Sequence, residues 1–331
     1  MAQGFVTIFG GTGFLGRHIV QRLAQAGYRV RVPTRKPSLA NHLMTSGKVG
    51  QIALMRGDVR NEKDVAAAVE GAEFVINLVG ILRPGGGRTF AALHADAAGM
   101  IARASAKAGV RRLIHVSSIG ADKNSRSEYA RSKAEGEAQV REVFPGATIL
   151  RPSIVFGPGD GFFVRFAALM SLAKVIFPLF GGGKTKFQPV FVGDVAEAVA
   201  NALTDDRARG KTYELGGPAV YTFKELLAYI ARVTERKRTF IPIPFFLLDI
   251  AAAFTGWLPF APITLDQARL LRVDNVVKSG ADKATVGTIA DLGIQPTALE
   301  AIVPAYLTTF RRTGQFTAPH GAQDHFSKFS D

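Results

Sequence analysis

Apolar and polar positions in the first half of the chain follow two alternating rhythms. Short runs with strand character recur at Phe5–Phe9, Arg29–Pro33, Gln51–Met55, Phe74–Val79, Leu113–Ser117 and Thr148–Leu150. Between them, apolar residues fall at helical spacing over Phe14–Ala26, Lys63–Val69, Thr89–Ala108 and Ser127–Phe144. Strand–helix alternation of this kind predicts an α/β fold: a doubly wound parallel sheet with helices on both faces, right-handed crossovers, and ligands at the carboxyl ends of the strands.

After Arg151-Pro152 the rhythm changes, and a smaller, mostly helical C-terminal lobe is expected. Gly157–Gly161 reads as a loop, and the apolar segment Phe162–Phe180 runs into the Gly181-Gly182-Gly183 turn. Gln188–Val192 has strand character, and Asp194 is placed to cap a helix over Val195–Leu203. Further helices are predicted over Phe223–Thr234 and Thr297–Thr308. The division is residues 1–150 for the nucleotide-binding domain, 151–313 for the second lobe and 314–331 for an extended tail, with the chain crossing back to the sheet around 186–205. Phe240–Pro262 stands apart: Asp249 is its only charge, yet its prolines and Gly256 cut it into pieces too short to span a membrane. It reads either as a core helix or as a surface that docks on a membrane or an apolar partner.

The first strand-to-helix junction carries Gly10-Gly11-Thr12-Gly13-Phe14-Leu15-Gly16-Arg17. A strand that turns sharply into a helix N-terminus leaves backbone N–H groups free to bind a pyrophosphate, the arrangement of a Rossmann-type dinucleotide site. Gly10 permits the turn, Gly13 lets the backbone approach the phosphates, and Gly16 lets helix and strand pack closely. At the end of the second strand an NAD site offers a carboxylate to the ribose; here Thr34-Arg35-Lys36 follows instead. Arg35 and Lys36, with Arg17 as a second candidate, suit a 2′-phosphate, so NADPH is expected rather than NAD. Asp58 would face the adenine edge with Val59 beside the ring, and Pro152 and Ser153 would lie near the nicotinamide.

Tyr129 and Lys133 stand four residues apart on one predicted helix face, downstream of a strand that ends in Ser117-Ser118. A phenol with a pKa near 10 becomes a useful acid–base group only beside a cation such as Lys133, and a serine at the strand end could orient a carbonyl.

Bulk properties bound the alternatives. A chain of 331 residues fits one large α/β domain or a nucleotide domain with a smaller lobe. It has no cysteine, which removes disulfides, thiolate nucleophiles and Cys-ligated metals, and its 6 histidines lack metal-ligand spacing. No metal site is expected. The formal charge of +14 suits anionic lipid headgroups or acidic protein surfaces. Without a zinc finger, RNP strand or helix-turn-helix pattern, nucleic acid is not expected as a partner. The first strand begins by Phe5, leaving no room for a signal peptide or an Arg-rich transit sequence; either the protein works where it is made or a presequence has been removed, and a bacterial cytoplasmic location is expected.

The glycine loop, Asp58-Val59, Asn77-Leu78-Val79-Gly80, Ser117-Ser118, Tyr129/Lys133, Arg151-Pro152 and Val192-Gly193-Asp194-Val195 together resemble the short-chain dehydrogenase/reductase superfamily, in its extended and atypical members. The resemblance implies Tyr129 as acid–base group, Lys133 on the nicotinamide ribose, Ser118 (or Ser117) on the substrate, and Leu78, Val79 and Gly80 against the cofactor. Asp96 falls roughly where such proteins often carry an asparagine that relays protons. A narrower resemblance, through Tyr129–Glu137, Arg151–Gly157, Gln188–Val195, Phe260–Gln267 and Asp291–Thr297, is to the NADPH-binding accessory subunits of respiratory complex I (NADH:ubiquinone oxidoreductase). It implies NADPH held structurally and other complex I subunits as partners at the junction of the peripheral arm with the membrane. It places the chain on the cytoplasmic face of a bacterial inner membrane, or the matrix side in a mitochondrion, with no turnover expected. The alternatives are a free NADP(H)-dependent reductase or epimerase acting on a nucleotide sugar, and a cofactor-sensing regulator.

Overall fold

Residues 3–173, 175–255, 264–278 and 286–311 are described by the computed structural model of the chain, with side chains of 251–255 excepted. The apolar runs form the sheet. β1 (Phe5–Phe9), β2 (Arg29–Thr34), β3 (Ile52–Arg56), β4 (Phe74–Asn77), β5 (Arg112–Val116) and β6 (Thr148–Pro152) are joined by β11 (Thr212–Leu215) and β14 (Val286–Thr288). The order is β14-β11-β6-β5-β4-β1-β2-β3, all parallel. Residues 212–215 and 286–288, which the sequence reading puts in the second lobe, are therefore sheet strands.

Helices cover both faces, as the alternation predicts. α1 (Phe14–Gln25) and α6 (Val192–Thr204) bury Ile19, Leu23, Val195 and Val199 on one face. α2 (Glu62–Val69), α3 (Ala97–Lys107) and α4 (Glu128–Val143) bury Val65, Ile101 and Val140 on the other. The long helix expected over Thr89–Ala108 is a π-helical turn, Ala91–Asp96, leading into α3. α6 starts three residues earlier than expected, so Asp194 lies inside its first turn and caps nothing there. Its carboxylate instead accepts the Thr297 N–H at 2.7 Å and the Thr297 hydroxyl at 2.9 Å.

The second lobe gathers α5 (Phe163–Leu172), α7 (Phe223–Val233) and α10 (Leu299–Tyr306) around a core of Phe156, Phe163, Phe223, Leu226 and Val303. It also holds three small strand pairs separate from the main sheet: β7 (Val155–Phe156) with β10 (Val190–Phe191), β9 (Lys186–Phe187) with β12 (Tyr221–Thr222), and β8 (Ile176–Phe180) with β13 (Thr239–Ile243). The segment expected as one apolar stretch, Phe162–Phe180, is thus a helix followed by a strand.

The apolar segment at 240–262 contributes β13 and α8 (Phe245–Thr255), and its part from 256 lies outside the described residues, as does the 314–331 tail. In α8, Leu248 is buried, whereas Phe246, Leu247 and Ile250 are exposed. The helix therefore satisfies the core only in part and leaves an apolar surface. Among the described residues, no helix is long and apolar enough to cross a membrane.

Two contacts fix α4, which carries the predicted tyrosine and lysine. Arg151 on β6 grips the buried Glu137 of α4 at 2.8 and 2.6 Å. At the helix start, Asp266 of α9 (Leu265–Leu270) accepts the Ser127 hydroxyl at 2.8 Å, the Glu128 N–H at 2.7 Å and the Tyr129 N–H at 3.1 Å. A carboxylate at a helix N-terminus satisfies orphan donors and opposes the helix dipole. Asp266→Ala should lower unfolding stability by about 1–2 kcal/mol, read from the urea midpoint at unchanged m-value; an unchanged midpoint would show that the cap contributes nothing.

Candidate functional site

The strand order reverses between β1 and β4, and a crevice opens there at the carboxyl ends of the strands. Gly10 leaves β1 with φ +79, and Gly16 lets α1 lie against the turn: a Cβ there would sit 2.3 Å from the Gly10 carbonyl oxygen. No side chain caps α1, whose N-cap is Gly13, and the first backbone bond of the helix is from the Arg17 N–H to the Gly13 carbonyl. Thr12 and Gly13 are exposed, and Phe14 and Leu15 are half-buried. This junction fits a pyrophosphate: the Gly13 N–H is used on the Gly10 carbonyl at 3.0 Å, but no side chain caps the first turn of α1 and its backbone is approachable.

Around the crevice the predicted cations divide. Arg35 and Lys36 stand exposed just past β2. Arg17 is turned elsewhere, its guanidinium donating to the Pro158 carbonyl at 2.6 Å and lying over the Phe14 ring. Asp58 is gripped by Arg60 at 2.6 Å, and that contact holds its carboxyl below the usual range. The carboxylate expected at the adenine edge is therefore shared with Arg60, a cation that the sequence reading missed. Val59 is half-buried beside it, and Leu78, Val79 and Gly80 form the loop after β4.

At the other end of the crevice, Ser117, Ser118, Tyr129, Pro152 and Ser153 line one cavity. Lys133 is buried, its ammonium 6.0 Å from the centroid of the Tyr129 ring and 3.3 Å from the Val116 carbonyl it donates to. Burial lowers Lys133 to about 8, with Glu137 opposing the shift. Burial raises the Tyr129 phenol above its ordinary value, and the neighbouring Ser118 hydroxyl opposes this without forming a well-shaped hydrogen bond. The Ser117 hydroxyl is buried and has no partner. Ser153, expected at the nicotinamide, has its hydroxyl bound by Asn275 at 2.6 Å.

Asp96 is exposed. The polar group that does reach the site from this helix is His94, in the π-helical turn two residues earlier. Its Nε2 accepts the Ile81 N–H at 2.9 Å, so its Nδ1 carries the proton toward Ser132 Oγ, also at 2.9 Å, and Ser132 donates on to the Tyr129 carbonyl. The His94 ring meets the Tyr129 ring edge-on, with centroids 5.2 Å apart. Gly80 lies against both groups: a Cβ there would make ordinary van der Waals contact with Lys133 Nζ at 3.4 Å and His94 Nε2 at 3.6 Å. The sequence signal for His94 was a lone histidine in an alanine-rich helical run, which no spacing rule marks. Among the described residues, no cluster of three or more His, Asp or Glu side chains could hold a metal ion.

Comparison with known proteins agrees with this geometry. A family model described as NAD dependent epimerase/dehydratase matches residues 6–216. The chain is 38% identical over 297 residues to the mouse mitochondrial NADH dehydrogenase (ubiquinone) 1 alpha subcomplex subunit 9, covering 89% of this chain and 77% of that protein. It is 34% identical over 314 residues to the mitochondrial NADH-ubiquinone oxidoreductase 40 kDa subunit of Neurospora crassa, covering 95% and 81%. The fold matches a dTDP-glucose 4,6-dehydratase from Streptomyces venezuelae, solved with NAD bound, at a TM-score of 0.68 and 17% identity over 92% of this chain and 95% of that one. The chain belongs to the NAD dependent epimerase/dehydratase family and, within it, to the group of these NADH dehydrogenase subunits. The family is one of nucleotide-cofactor-binding proteins.

Burial and the nearby Lys133 ammonium lower His94 from 6.5 to about 3. Between those values the unfolded chain binds a proton that the folded chain does not, so stability falls as pH drops through the window and is level above it. His94→Gln should flatten the unfolding free energy between pH 6 and pH 4 by up to about 1.4 kcal/mol per pH unit, measured by urea titration. His115, lowered to about 3 chiefly by burial, retains its own share of the slope. A variant with an unchanged slope would mean that His94 titrates normally.

Proposed function

We propose that this protein is an accessory subunit of respiratory complex I that holds NADPH as a structural element and helps to join the peripheral arm to the membrane. The observation that carries the reading is its likeness, along nearly the whole chain, to subunits named for NADH dehydrogenase in animals, fungi and plants. The exposed apolar residues of α8 and the +14 charge supply surfaces suited to an apolar partner and an anionic bilayer. The corresponding location is the inner membrane, on its cytoplasmic or matrix side.

The choice of NADPH is supported by the end of β2, where Arg35 and Lys36 stand exposed in place of the carboxylate that an NAD site offers there. Gly10, Thr12, Gly13, Phe14, Leu15 and Gly16 would receive the pyrophosphate, Asp58 and Val59 the adenine, and Leu78, Val79, Gly80, Pro152, Ser153 and Lys133 the nicotinamide half, with Ser117 and Tyr129 at the boundary between that half and the cavity beyond. A bound NADPH supplies a hydride in enzymes of this fold; here Lys133 would hold the ribose hydroxyls whether or not a hydride moves. The second reading, a free reductase, is favoured by the approach of Ser118 to the Tyr129 phenol.

Extraction of membranes in mild detergent should recover the protein with NADH:quinone oxidoreductase activity, identified by mass spectrometry of the complex. Recovery solely as a free oligomer would overturn the subunit reading. Tyr129→Phe should leave this assembly unchanged; if it abolished a measurable carbonyl reduction, the reductase reading would win. Arg35→Ser should weaken NADPH about tenfold or more while moving NADH little, read by cofactor fluorescence, because the lost contact is to the 2′-phosphate alone.

A further inference from the structure

The cavity that Ser117, Ser118 and Tyr129 share continues into the second lobe, with a volume of about 940 Å³. That is near the upper end for ligand pockets, about 300–1,000 Å³, and larger than the nicotinamide end of a cofactor requires. Its walls come from α5, β8, α8 and α9 and are dominated by Phe162, Phe166, Leu169, Phe177, Phe223 and Leu247.

Several polar side chains on these walls already have partners. Ser153 and Asn275 bind each other, Asp274 accepts the Lys186 N–H at 2.8 Å, Gln267 completes the cap of α9, and Arg269 donates to the Arg126 carbonyl. Arg165 also lies in the wall, its pKa lowered by burial and, to a smaller extent, by the nearby Arg83. At the sheet end the situation differs: the Ser117 and Ser118 oxygens are buried and make no hydrogen bond, and Ser117 is only 4% exposed. A buried hydroxyl without a partner is costly, and a ligand oxygen would satisfy it. The sugar hydroxyls and diphosphate of a nucleotide sugar would meet mostly aromatic and aliphatic wall, where polar groups go unpaired.

The apolar lining also reaches the surface. Leu247 lines the cavity and is exposed, as are its neighbours Phe246 and Ile250; Ile176, beside the lining residue Phe177, is 56% exposed. We infer that this cavity binds one long aliphatic chain carrying a carbonyl or hydroxyl group at the end that faces Ser117, Ser118 and Tyr129. The inference concerns a second ligand and does not depend on the cofactor's identity or on assembly into complex I.

The test uses the delipidated full-length protein and cis-parinaric acid, a long-chain probe whose fluorescence rises in a dry site. Saturable binding is expected, displaced by hexadecanol and hexadecanal and not by UDP-glucose. Absence of saturable binding, or displacement by UDP-glucose, overturns the inference. Leu169→Trp and Ala173→Phe each fill part of the cavity and should weaken the probe about tenfold, with folding checked by circular dichroism. Ser117→Ala, which leaves the cavity open, should weaken hexadecanol several-fold relative to the unfunctionalised hexadecane. Undiminished probe binding in all three variants would place the chain elsewhere and refute the assignment. Probe transfer from phosphatidylcholine vesicles would identify a membrane as the source of the ligand; uptake from cyclodextrin alone would identify the free compound; either result retains the chain site.

Discussion

The carboxylate of Asp266 is the contact on which the site's geometry depends. It comes from α9, far along the chain, and it accepts three hydrogen bonds at the first turn of α4. The N-terminus of a helix carries unpaired donors and partial positive charge, so an acceptor placed there fixes both the position of the helix and the start of its register. Tyr129 lies in that turn and Lys133 one turn later. The Arg151–Glu137 pair holds the next turn of the same helix to β6, with Glu214 facing Arg151 from β11. A helix held at two points by carboxylates, the half-buried Asp266 and its own buried Glu137, has little freedom to tilt, and the crevice inherits that rigidity.

Further contacts repeat the pattern of a side chain fixing backbone far away in sequence. Asp194 holds the turn before α10 through Thr297. Asn275 accepts the Ser153 hydroxyl and the Ile154 N–H and donates to the Ile119 carbonyl, tying together the strand ends beside the nicotinamide position. These are bonds across 100 residues or more of sequence for Asp194, Asp266 and Asn275, and they give a structural role to the two second-lobe stretches, around Asp266 and Thr297, that carry the narrower resemblance. Their function is to hold the small lobe against the sheet.

That distance in sequence also separates what could be read from what could not. Strand and helix periods depend on near neighbours, so β1, β2, α1, α2 and α4 fall within a residue or two of their expected places. The glycine loop was legible for the same reason, since turn, cap and close packing are all local. Asp194 illustrates the limit: an acidic residue before an apolar run is a sound local signal for a cap, yet α6 begins earlier and the carboxylate is claimed by Thr297. Asp96 and His94 illustrate another. Two residues along a helix turn a side chain by more than half a circle, and a π-helical turn shifts that phase again, so counting from a motif could not decide which of them faced Tyr129. β14 was missed because a three-residue strand has no period of its own.

The ionisation pattern bears on whether the crevice is a place of reaction or of holding. A general acid–base group works best when its pKa lies near the operating pH. Burial moves the Tyr129 phenol the other way, and the Lys133 ammonium that could correct it lies over the ring face and donates to a backbone carbonyl. His94, also in contact with Tyr129, is held neutral by burial and by the Lys133 ammonium, and by accepting the Ile81 N–H it orders the Gly80–Ile81 loop. Each of these groups is spent on keeping backbone in place. A chain whose polar residues serve the fixed shape of the crevice, and whose remaining unsatisfied hydroxyls face an apolar cavity, is better suited to retaining ligands than to exchanging them rapidly.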